Sequence, residues 1–357
     1  MPTNPVTSGL TAYVEQSRDL LIKKLLFGKG SRSKMSIQTG VKKLEDLHIL
    51  DVDPVFGDGS ACGFNAAGTI TVSQRQIETA AITVDMQFCS KNLVGTYAEY
   101  LTRTAADENP LPWEEYLWNG IVDGINRKIE KLIWLGDVTQ TTDPVLKWTD
   151  GLITRALASI TASTGVVGVS LTGLNAYDGV MAVANSLTEN VLERGGMIFV
   201  SPAIFANFVQ SLVNLNLYHY NPGAPTDEVE IPGRNIVVYK TAGLAGDLHI
   251  LGTYGRNLVY GTDGENDEER VKVWFSDDND AWRFKVEFKA GDQIAFLDQV
   301  VLGTFNAAPA AVPGVYAGIN AVATAIGTGN TSLGTIASVA TDVHDTTDKA
   351  IQTKAVQ

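Results

Sequence analysis

The sequence has few of the residues from which catalytic and metal sites are usually built. Its 357 residues include only two cysteines and four histidines. The cysteines, Cys62 and Cys89, are too few for a disulfide framework or a structural zinc site. The histidines lie far apart, and none has the H-x-x-x-H spacing of a zinc hydrolase. We therefore expect no catalytic residue, no metal site and no cofactor.

Long apolar runs are also missing. No stretch reaches the roughly 18 apolar residues that a membrane-spanning helix needs. The start, MPTNPVTSGL, lacks the basic-then-apolar layout of a signal peptide. The sequence therefore predicts no membrane partner and a cytosolic origin. The hydrophobic fraction of 45% and the charged fraction of 19% are ordinary for a globular protein, and the length predicts about two or three structural units.

Positive charge is scarce overall but concentrated near the start. The net charge of −13 argues against a chain that reads nucleic acid. The basic residues of the first part are Arg18, Lys23, Lys24, Lys29, Arg32, Lys34, Lys42 and Lys43. The acids gather in GTDGENDEER and FSDDND, the latter with Asp277, Asp278 and Asp280, and neither stretch fits a calcium-loop pattern. Solvated faces are one interpretation; the other is that opposite ends of one subunit meet opposite charges on neighbouring copies.

Two amphipathic helices are predicted. TAYVEQSRDLLIKKLLFGKG has one apolar stripe, made of Tyr13, Val14, Ser17, Leu20, Leu21 and Leu25. PWEEYLWNGIVDGINRKIEKLIWLGD gives the strongest helical pattern of the sequence, over residues 112–135. Gly120 and Gly124 lie on successive turns of this second helix and lower its helix propensity, so we expect them to admit another backbone closely.

The stretch CGFNAAGTITVSQRQIETAAITVDMQFC, residues 62–89, raises the question of what it packs against. Thr, Ile and Val alternate with polar residues on both sides of a polar SQRQ centre, which comprises Ser73, Gln74, Arg75 and Gln76. This pattern predicts two antiparallel strands joined by a turn at that centre. Few large apolar residues are available to bury either face.

The second half of the chain is predicted to be mixed. LNAYDGVMAVANSLTENVLERGG, MIFVS and SPAIFANFVQSLVNL read as helix, buried strand and helix. VKVWF and AWRFKVEFK read as an antiparallel pair that joins through SDDND. From Asn306 onward the composition shifts to Ala, Thr, Gly and Ser, which gives little bulk for a core. We expect this tail to be held by another subunit.

This order of parts resembles the major capsid proteins of tailed bacteriophages, which have the Hong Kong 97-type fold. GTITVSQRQIETAAITVDMQFCSKNL is similar to the extended loop of that family, PWEEYLWNGIVDGINRKIEKLIWLGD to its long spine helix, and GGMIFVSPAIFANFVQSL to part of its axial domain. The resemblance implies an α+β fold. Its parts are an N-terminal arm (1–49), an extended β-hairpin loop (50–93), a peripheral domain (94–164 and 268–306) with a spine helix (112–135), an axial domain (165–267) and a C-terminal low-complexity arm (307–357).

The resemblance implies a structural protein rather than an enzyme. Copies would self-assemble through pentamers and hexamers into an icosahedral capsid that encloses double-stranded DNA without sequence specificity, and the extended loop would lie across an adjacent subunit. Portal, scaffolding and decoration proteins are the further partners implied. Scaffolding is expected as a separate protein, because the arm begins close to Met1. The location implied is the virion capsid, after assembly in the host bacterial cytoplasm.

The candidate subunit-interface residues come from the basic segment, the SQRQ centre and the acidic turn. They are Lys23, Lys24, Lys29, Ser73, Gln74, Arg75, Gln76, Asp277, Asp278 and Asp280. The basic segment would contact an acidic face of a neighbour or, alternatively, DNA. Three rival interpretations stay open: an encapsulin-type nanocompartment shell, an α/β hydrolase with scattered catalytic residues, and a virion tail or baseplate component.

Overall fold

The computed structural model describes residues 30–56, 68–89, 113–217, 226–263, 270–276, 278 and 281–312. Within these ranges the chain forms helices and strands in mixed order. None of the helices described there is long and apolar enough to cross a membrane. The amphipathic segment predicted for residues 11–27 lies outside the described residues, as do Lys23, Lys24 and Lys29.

The described residues form two sheets, a two-stranded ribbon and five α-helices. The strands are β1 (Ser36–Gln38), β2 (Leu44–Asp53), β3 (Thr69–Glu78), β4 (Ala80–Cys89), β5 (Val167–Ser170), β6 (Gly196–Val200), β7 (Glu228–Glu230), β8 (Ile236–Lys240), β9 (His249–Thr253), β10 (Leu258–Gly261), β11 (Arg270–Ser276), β12 (Ala281–Ile294) and β13 (Val301–Thr304). The helices are α1 (Trp113–Leu135), α2 (Leu152–Ala162), α3 (Ala176–Asn185), α4 (Glu189–Glu193) and α5 (Pro202–Asn214).

The first sheet is built around the long strand β12. β10, β11 and β4 all pair with it in antiparallel fashion, and β1 adds to β10 in parallel. The alternating apolar residues of β12 are buried, as their period of two predicts: Trp282, Phe284, Val286 and Phe288. They face α1, where the rings of Trp118 and Phe284 lie 6.4 Å apart. The predicted pairing of VKVWF with AWRFKVEFK is present as β11 with β12.

The second sheet is a mixed sheet of six strands in the order β5-β13-β9-β6-β8-β7. One face packs on α3 and α5 in a core that includes Val180, Phe208 and Ile198. The other face packs on the C-terminal end of α1, where Trp134 lies 5.0 Å from the ring of Phe199. The end of α1 therefore joins the cores of the two sheets.

The helix–strand–helix pattern predicted in the second half is present, except that the first predicted helix is divided into α3 and α4, with a break at residues 186–188. The side chain of Ser201 caps α5 by accepting a hydrogen bond from the backbone N–H of Ile204 at 3.4 Å. Pro202 occupies the first turn, where its missing N–H costs nothing. The predicted buried strand MIFVS is β6, which lies inside the second sheet.

The antiparallel hairpin predicted within residues 62–89 is wrong in its pairing. β3 runs straight through Ser73–Gln76 and pairs with β2, from Leu44 opposite Glu78 to Asp53 opposite Thr69. β4 pairs instead with β12. The alternation of Thr, Ile and Val is the same in either arrangement, and SQRQ has no Gly, Pro, Asn or Asp to favour a tight turn.

The strand pairing in this part of the chain crosses the ranges expected from the sequence. The ribbon formed by β2 and β3 comprises Leu44–Asp53 and Thr69–Glu78, whereas Ala80–Cys89 belongs to the first sheet. Ser36–Gln38 pairs with β10. Pro309 lies against α5, since Asn207 Nδ2 donates to its carbonyl oxygen at 2.8 Å.

Candidate assembly surface

The ribbon is fixed to the body of the subunit at its root. Ile77 is fully buried against Val41 and Val259. Gly261 leaves room for this contact, since a Cβ there would lie 2.7 Å from Ile77 Cδ1. Gln293 Nε2 donates to the carbonyl oxygen of Gln76 at 2.6 Å. The root is therefore held by packing and by a hydrogen bond from β12.

Gly291 on β12 lies directly under the root of the ribbon. A Cβ at this position would come 2.1 Å from the carbonyl oxygen of Glu78, which is backbone and has no rotamer by which to move away. Only glycine allows the two backbones to approach this closely.

We expect Gly291→Ala to destabilise the subunit by about 2–3 kcal/mol, because the root has to shift to accept the methyl group. Urea unfolding followed by circular dichroism measures the change. Gly168→Ala is the matched control, because its nearest neighbour is the flexible side chain of Ile160 at 3.2 Å, so a smaller loss is expected. Equal losses for both variants would contradict the account of the root.

The distal half of the ribbon exposes apolar side chains on one face. Direct cross-strand partners share a face, and Leu50 pairs with Val72 while Val52 pairs with Ile70. The exposed fractions of these four side chains are 60%, 65%, 49% and 71% respectively. We call these four residues the apolar patch. Phe56, just beyond β2, is 97% exposed.

The apolar patch is not matched by any described element of the same subunit. A two-stranded ribbon alone is at best marginally stable in water. Burying each of the four side chains would contribute about 2 kcal/mol. The arrangement of an anchored root and an exposed apolar end is typical of a surface that becomes buried when another molecule binds.

Charged groups meet beside the root of the ribbon. Arg155 on α2 places its Nε 3.5 Å from a carboxylate oxygen of Asp292, which is fully buried on β12. Burial raises the pKa of Asp292 to about 8, against the opposing effect of Arg155, and Asp150 raises it further. Burial and then the charge of Arg155 lower the pKa of Arg75, which is half-buried on β3.

The buried acid gives a pH dependence whose sign is fixed by its raised pKa. Asp292 holds its proton in the folded subunit up to about pH 8 and releases it near pH 4 when unfolded. The raised pKa therefore contributes to the free energy of unfolding in full below about pH 4. This contribution is lost as the pH rises towards 8, at up to about 1.4 kcal/mol per pH unit.

Asp292→Asn is expected to flatten this dependence, because the amide stays neutral. The variant should gain stability relative to the parent between pH 5 and pH 8, as read from urea midpoints at several pH values. Asp178→Asn is the control, because that residue is exposed at the start of α3, and its substitution should leave the slope in place. Parallel pH profiles for Asp292→Asn and the parent would contradict the burial effect.

A second polar cluster holds the start of the described chain against α1. The backbone N–H of Ser31 donates to Glu130 Oε1 at 2.8 Å, and Thr241 Oγ1 donates to the same oxygen at 3.1 Å. Arg32 is fully buried, with its Nη2 2.6 Å from Asn126 Oδ1 and its Nε 3.9 Å from Glu130 Oε2. The buried acid thus joins residues 31–32, α1 and the loop after β8.

The residues predicted from the sequence as interface residues do not come together in the described structure. Ser73, Gln74, Arg75 and Gln76 lie in the middle of β3 instead of at a turn. Gln74 is exposed and contacts His48 across the ribbon, with Nε2 3.3 Å from Nδ1. Asp278 is exposed in a turn. Lys23, Lys24, Lys29, Asp277 and Asp280 lie outside the described residues.

Sequence reasoning missed the apolar patch and the role of β2. The signal was present in LDVD, residues 50–53, where Leu and Val alternate with Asp just as Ile and Val alternate with Thr in TITV. Within the described ranges, no group of three or more His, Cys, Asp or Glu side chains is placed to hold a metal ion.

The comparisons with known proteins concern the fold. No family model matches the chain, and no curated protein does. Among solved structures, the satellite phage P4 procapsid that includes the size determination (Sid) protein is similar with a TM-score of 0.53 at 13% identity, over 81% of this chain and 100% of that chain. The capsid of the native GTA particle is similar with a TM-score of 0.50 at 14% identity, over 78% and 90%. The chain therefore has the fold of phage capsid proteins.

Proposed function

We propose that this chain is the major capsid protein of a tailed bacteriophage, with the Hong Kong 97-type fold, and that its copies build an icosahedral shell around double-stranded DNA. The observation that carries the proposal is the ribbon, which is anchored at Ile77 and exposes the apolar patch at its far end. In an isolated subunit this surface is in water. In a shell it lies across the adjacent copy, so that burial accompanies assembly.

In this proposal the domains follow the strand pairing. The first sheet together with α1 and α2 is the peripheral domain, and α1 is its spine helix. The second sheet with α3 and α5 is the axial domain, through which pentamers and hexamers form. The ribbon of Leu44–Asp53 and Thr69–Glu78 is the extended loop. Portal, scaffolding and decoration proteins are the further partners.

The net charge of −13 suits a shell around nucleic acid. A wall that repels phosphate lets the packed duplex slide instead of adhering. In this proposal the protein is located in the virion capsid, after assembly in the host cytoplasm. The basic segment with Lys23, Lys24 and Lys29 contacts an acidic face of a neighbouring copy in this proposal.

A charge-reversal variant tests the role of the basic segment. We expect Lys23→Glu, Lys24→Glu and Lys29→Glu together to block assembly, because three attractive contacts per subunit become repulsive. Native light scattering of the purified variant measures particle formation. Normal empty shells with altered DNA packaging would show instead that the segment contacts DNA.

Negative-stain electron microscopy of the expressed protein tests the proposed function. Closed icosahedral shells are expected. A monomer of about 38.3 kDa with hydrolytic turnover would favour an α/β hydrolase instead, and tubes or rings would favour a tail or baseplate component. Terminase and portal genes found beside this gene would support the phage assignment, whereas a neighbouring cargo-enzyme gene would support an encapsulin-type compartment, which has the same kind of shell.

A further inference from the structure

The last described residues of the chain, 307–312, bridge the two helices α3 and α5. The carbonyl oxygen of Pro309 accepts a hydrogen bond from Asn207 Nδ2 on α5 at 2.8 Å. The next carbonyl, that of Ala310, accepts one from the backbone N–H of Ala176 at 2.9 Å. Ala176 is the first residue of α3, where backbone N–H groups have no partner inside the helix. We call residues 307–312 the strap.

The far end of the strap is held by α5. The backbone N–H of Val312 donates to Ser211 Oγ at 2.9 Å, and its carbonyl oxygen accepts from Asn214 Nδ2 at 2.6 Å. Asn207, Ser211 and Asn214 are spaced at i, i+4 and i+7 and so lie on one face of the helix; we call them the polar strip. Asn207 and Asn214 are about 10 Å apart along a helix axis, and the three steps from Pro309 to Val312 span about 10 Å when extended. The strap therefore lies extended along α5, in the same direction.

The polar strip is oriented by contacts within α5 itself. Ser211 is fully buried, and its hydroxyl donates to the carbonyl oxygen of Asn207 at 2.6 Å, which leaves an oxygen lone pair for an incoming N–H. Asn214 Oδ1 accepts from Gln210 Nε2 at 3.0 Å, which turns the amide N–H groups of Asn214 towards the strap. Binding groups that are fixed in advance lose less conformational entropy when a ligand binds.

The strap is bound through its main chain. All four of its hydrogen bonds to α3 and α5 use backbone atoms of the strap. The side chains of Ala307, Ala308 and Ala310 are exposed, whereas Pro309 is buried. Ala308 and Val312 each precede a proline, which restricts them to extended conformations. The strip therefore suits an extended peptide with small side chains and one buried proline.

We propose that the polar strip is a docking site for an extended peptide main chain, and that residues 307–312 occupy it as a detachable strap that holds α3 to α5. The strap ends beside Asn214, the last residue of α5, next to the exposed side chains of Val213 and Leu215. It thereby fixes the point at which the rest of the chain leaves the subunit. The proposal concerns one subunit and stands whether or not the proposed shell forms.

Displacing the strap while the strip stays intact tests the proposal in the full-length chain. Pro309→Gly and Val312→Pro together remove the buried ring and the N–H that donates to Ser211. The backbone amide of Ala176 then loses its acceptor and should exchange with deuterium at least about tenfold faster. Mass spectrometry of peptides from the start of α3 measures this exchange. Peptides from α1 are the internal reference and should exchange as in the parent.

A second variant checks that the main chain carries the binding. Ala308→Ser combined with Ala310→Ser changes two exposed side chains of the same strap and leaves its backbone donors and acceptors in place. This variant should exchange as the parent does. Faster exchange at the start of α3 in this variant would contradict recognition through the main chain.

A free peptide tests docking without the covalent connection. The peptide AAPAAVPG, residues 307–314, is added to the variant with the displaced strap. A concentration of about 1–10 mM is suitable, because a tethered segment has an effective concentration in the millimolar range. The peptide should restore slow exchange at Ala176. It should not do so when Asn207→Ala and Asn214→Ala are also present, because two donors of the strip are then missing.

Each combination of results decides the proposal. Restoration by the peptide only where the strip is intact supports the docking site. Restoration in both variants would overturn it, because binding would not depend on the strip. Restoration in neither would overturn it too, because the strap would then be held only by its covalent connection. Unchanged exchange after Pro309→Gly and Val312→Pro would show that the strap does not hold α3.

Discussion

Val72→Asp is expected to abolish assembly while the subunit stays folded. Val72 and its cross-strand partner Leu50 are mostly exposed in the single subunit, so a charge there costs less than about 0.5 kcal/mol of folding free energy. Once the patch is covered by a neighbouring copy, an unpaired carboxylate costs several kcal/mol per contact. This cost applies once for every ribbon that contacts a neighbouring copy, so it adds up over the particle. The variant should therefore form no particles at concentrations at which the parent assembles completely.

Size-exclusion chromatography with light scattering measures the loss, and circular dichroism checks the fold. Thr71→Lys is the control, because Thr71 is the adjacent exposed residue of β3, points to the opposite face and has Asp51 as its cross-strand partner. It adds a charge to the ribbon without placing it on the apolar patch, so it should assemble. Particles formed by Val72→Asp as readily as by Thr71→Lys would rule out burial of the apolar patch in the assembly.

Glu130→Ala is expected to destabilise the subunit strongly. Removing the acid takes away the carboxylate that lies 3.9 Å from the Nε of the fully buried Arg32, and it takes an acceptor from Ser31 and Thr241. Breaking a buried ion pair on one side costs about 3–5 kcal/mol. Arg32→Ala should lower the free energy of unfolding by a similar amount. The double variant should lose clearly less than the sum of the two single losses, because it leaves neither of the two buried charges behind.

Urea unfolding of the two single variants and the double variant measures the coupling. Lys131→Ala serves as the control. Lys131 is the next residue of α1 and forms a partly exposed ion pair with Asp143 at 3.5 Å. Solvent screens that pair more than the buried one, so the urea midpoint should move much less. Strictly additive losses for Glu130→Ala and Arg32→Ala would contradict the structural role of the cluster.

Elements with a strong local pattern are predictable from this sequence. The four-residue recurrence of apolar residues in α1 and the two-residue alternation of Trp282 to Phe288 each lead to the observed structure. The N-cap at Ser201 is similarly local, because one side chain and one backbone N–H three residues later form it.

Strand partners and buried charges are not local, and they explain the errors. β3 pairs with β2, and β4 with β12, although β3 and β4 are separated by Thr79 alone. Thr79 makes this change of sheet possible, since its backbone N–H donates to the carbonyl oxygen of Lys43 at 2.9 Å and its Oγ1 to that of Val41 at 3.2 Å. Arg32 looks like one more member of a basic segment, and its partner Glu130 lies far away in the sequence.

The most direct test is a cryo-electron microscopy reconstruction of the particles formed by the purified chain. Each ribbon is expected to cross onto an adjacent copy, which covers the side chains of Leu50, Val52, Ile70 and Val72. A ribbon whose apolar patch faces solvent, or which folds back onto its own subunit, would contradict it.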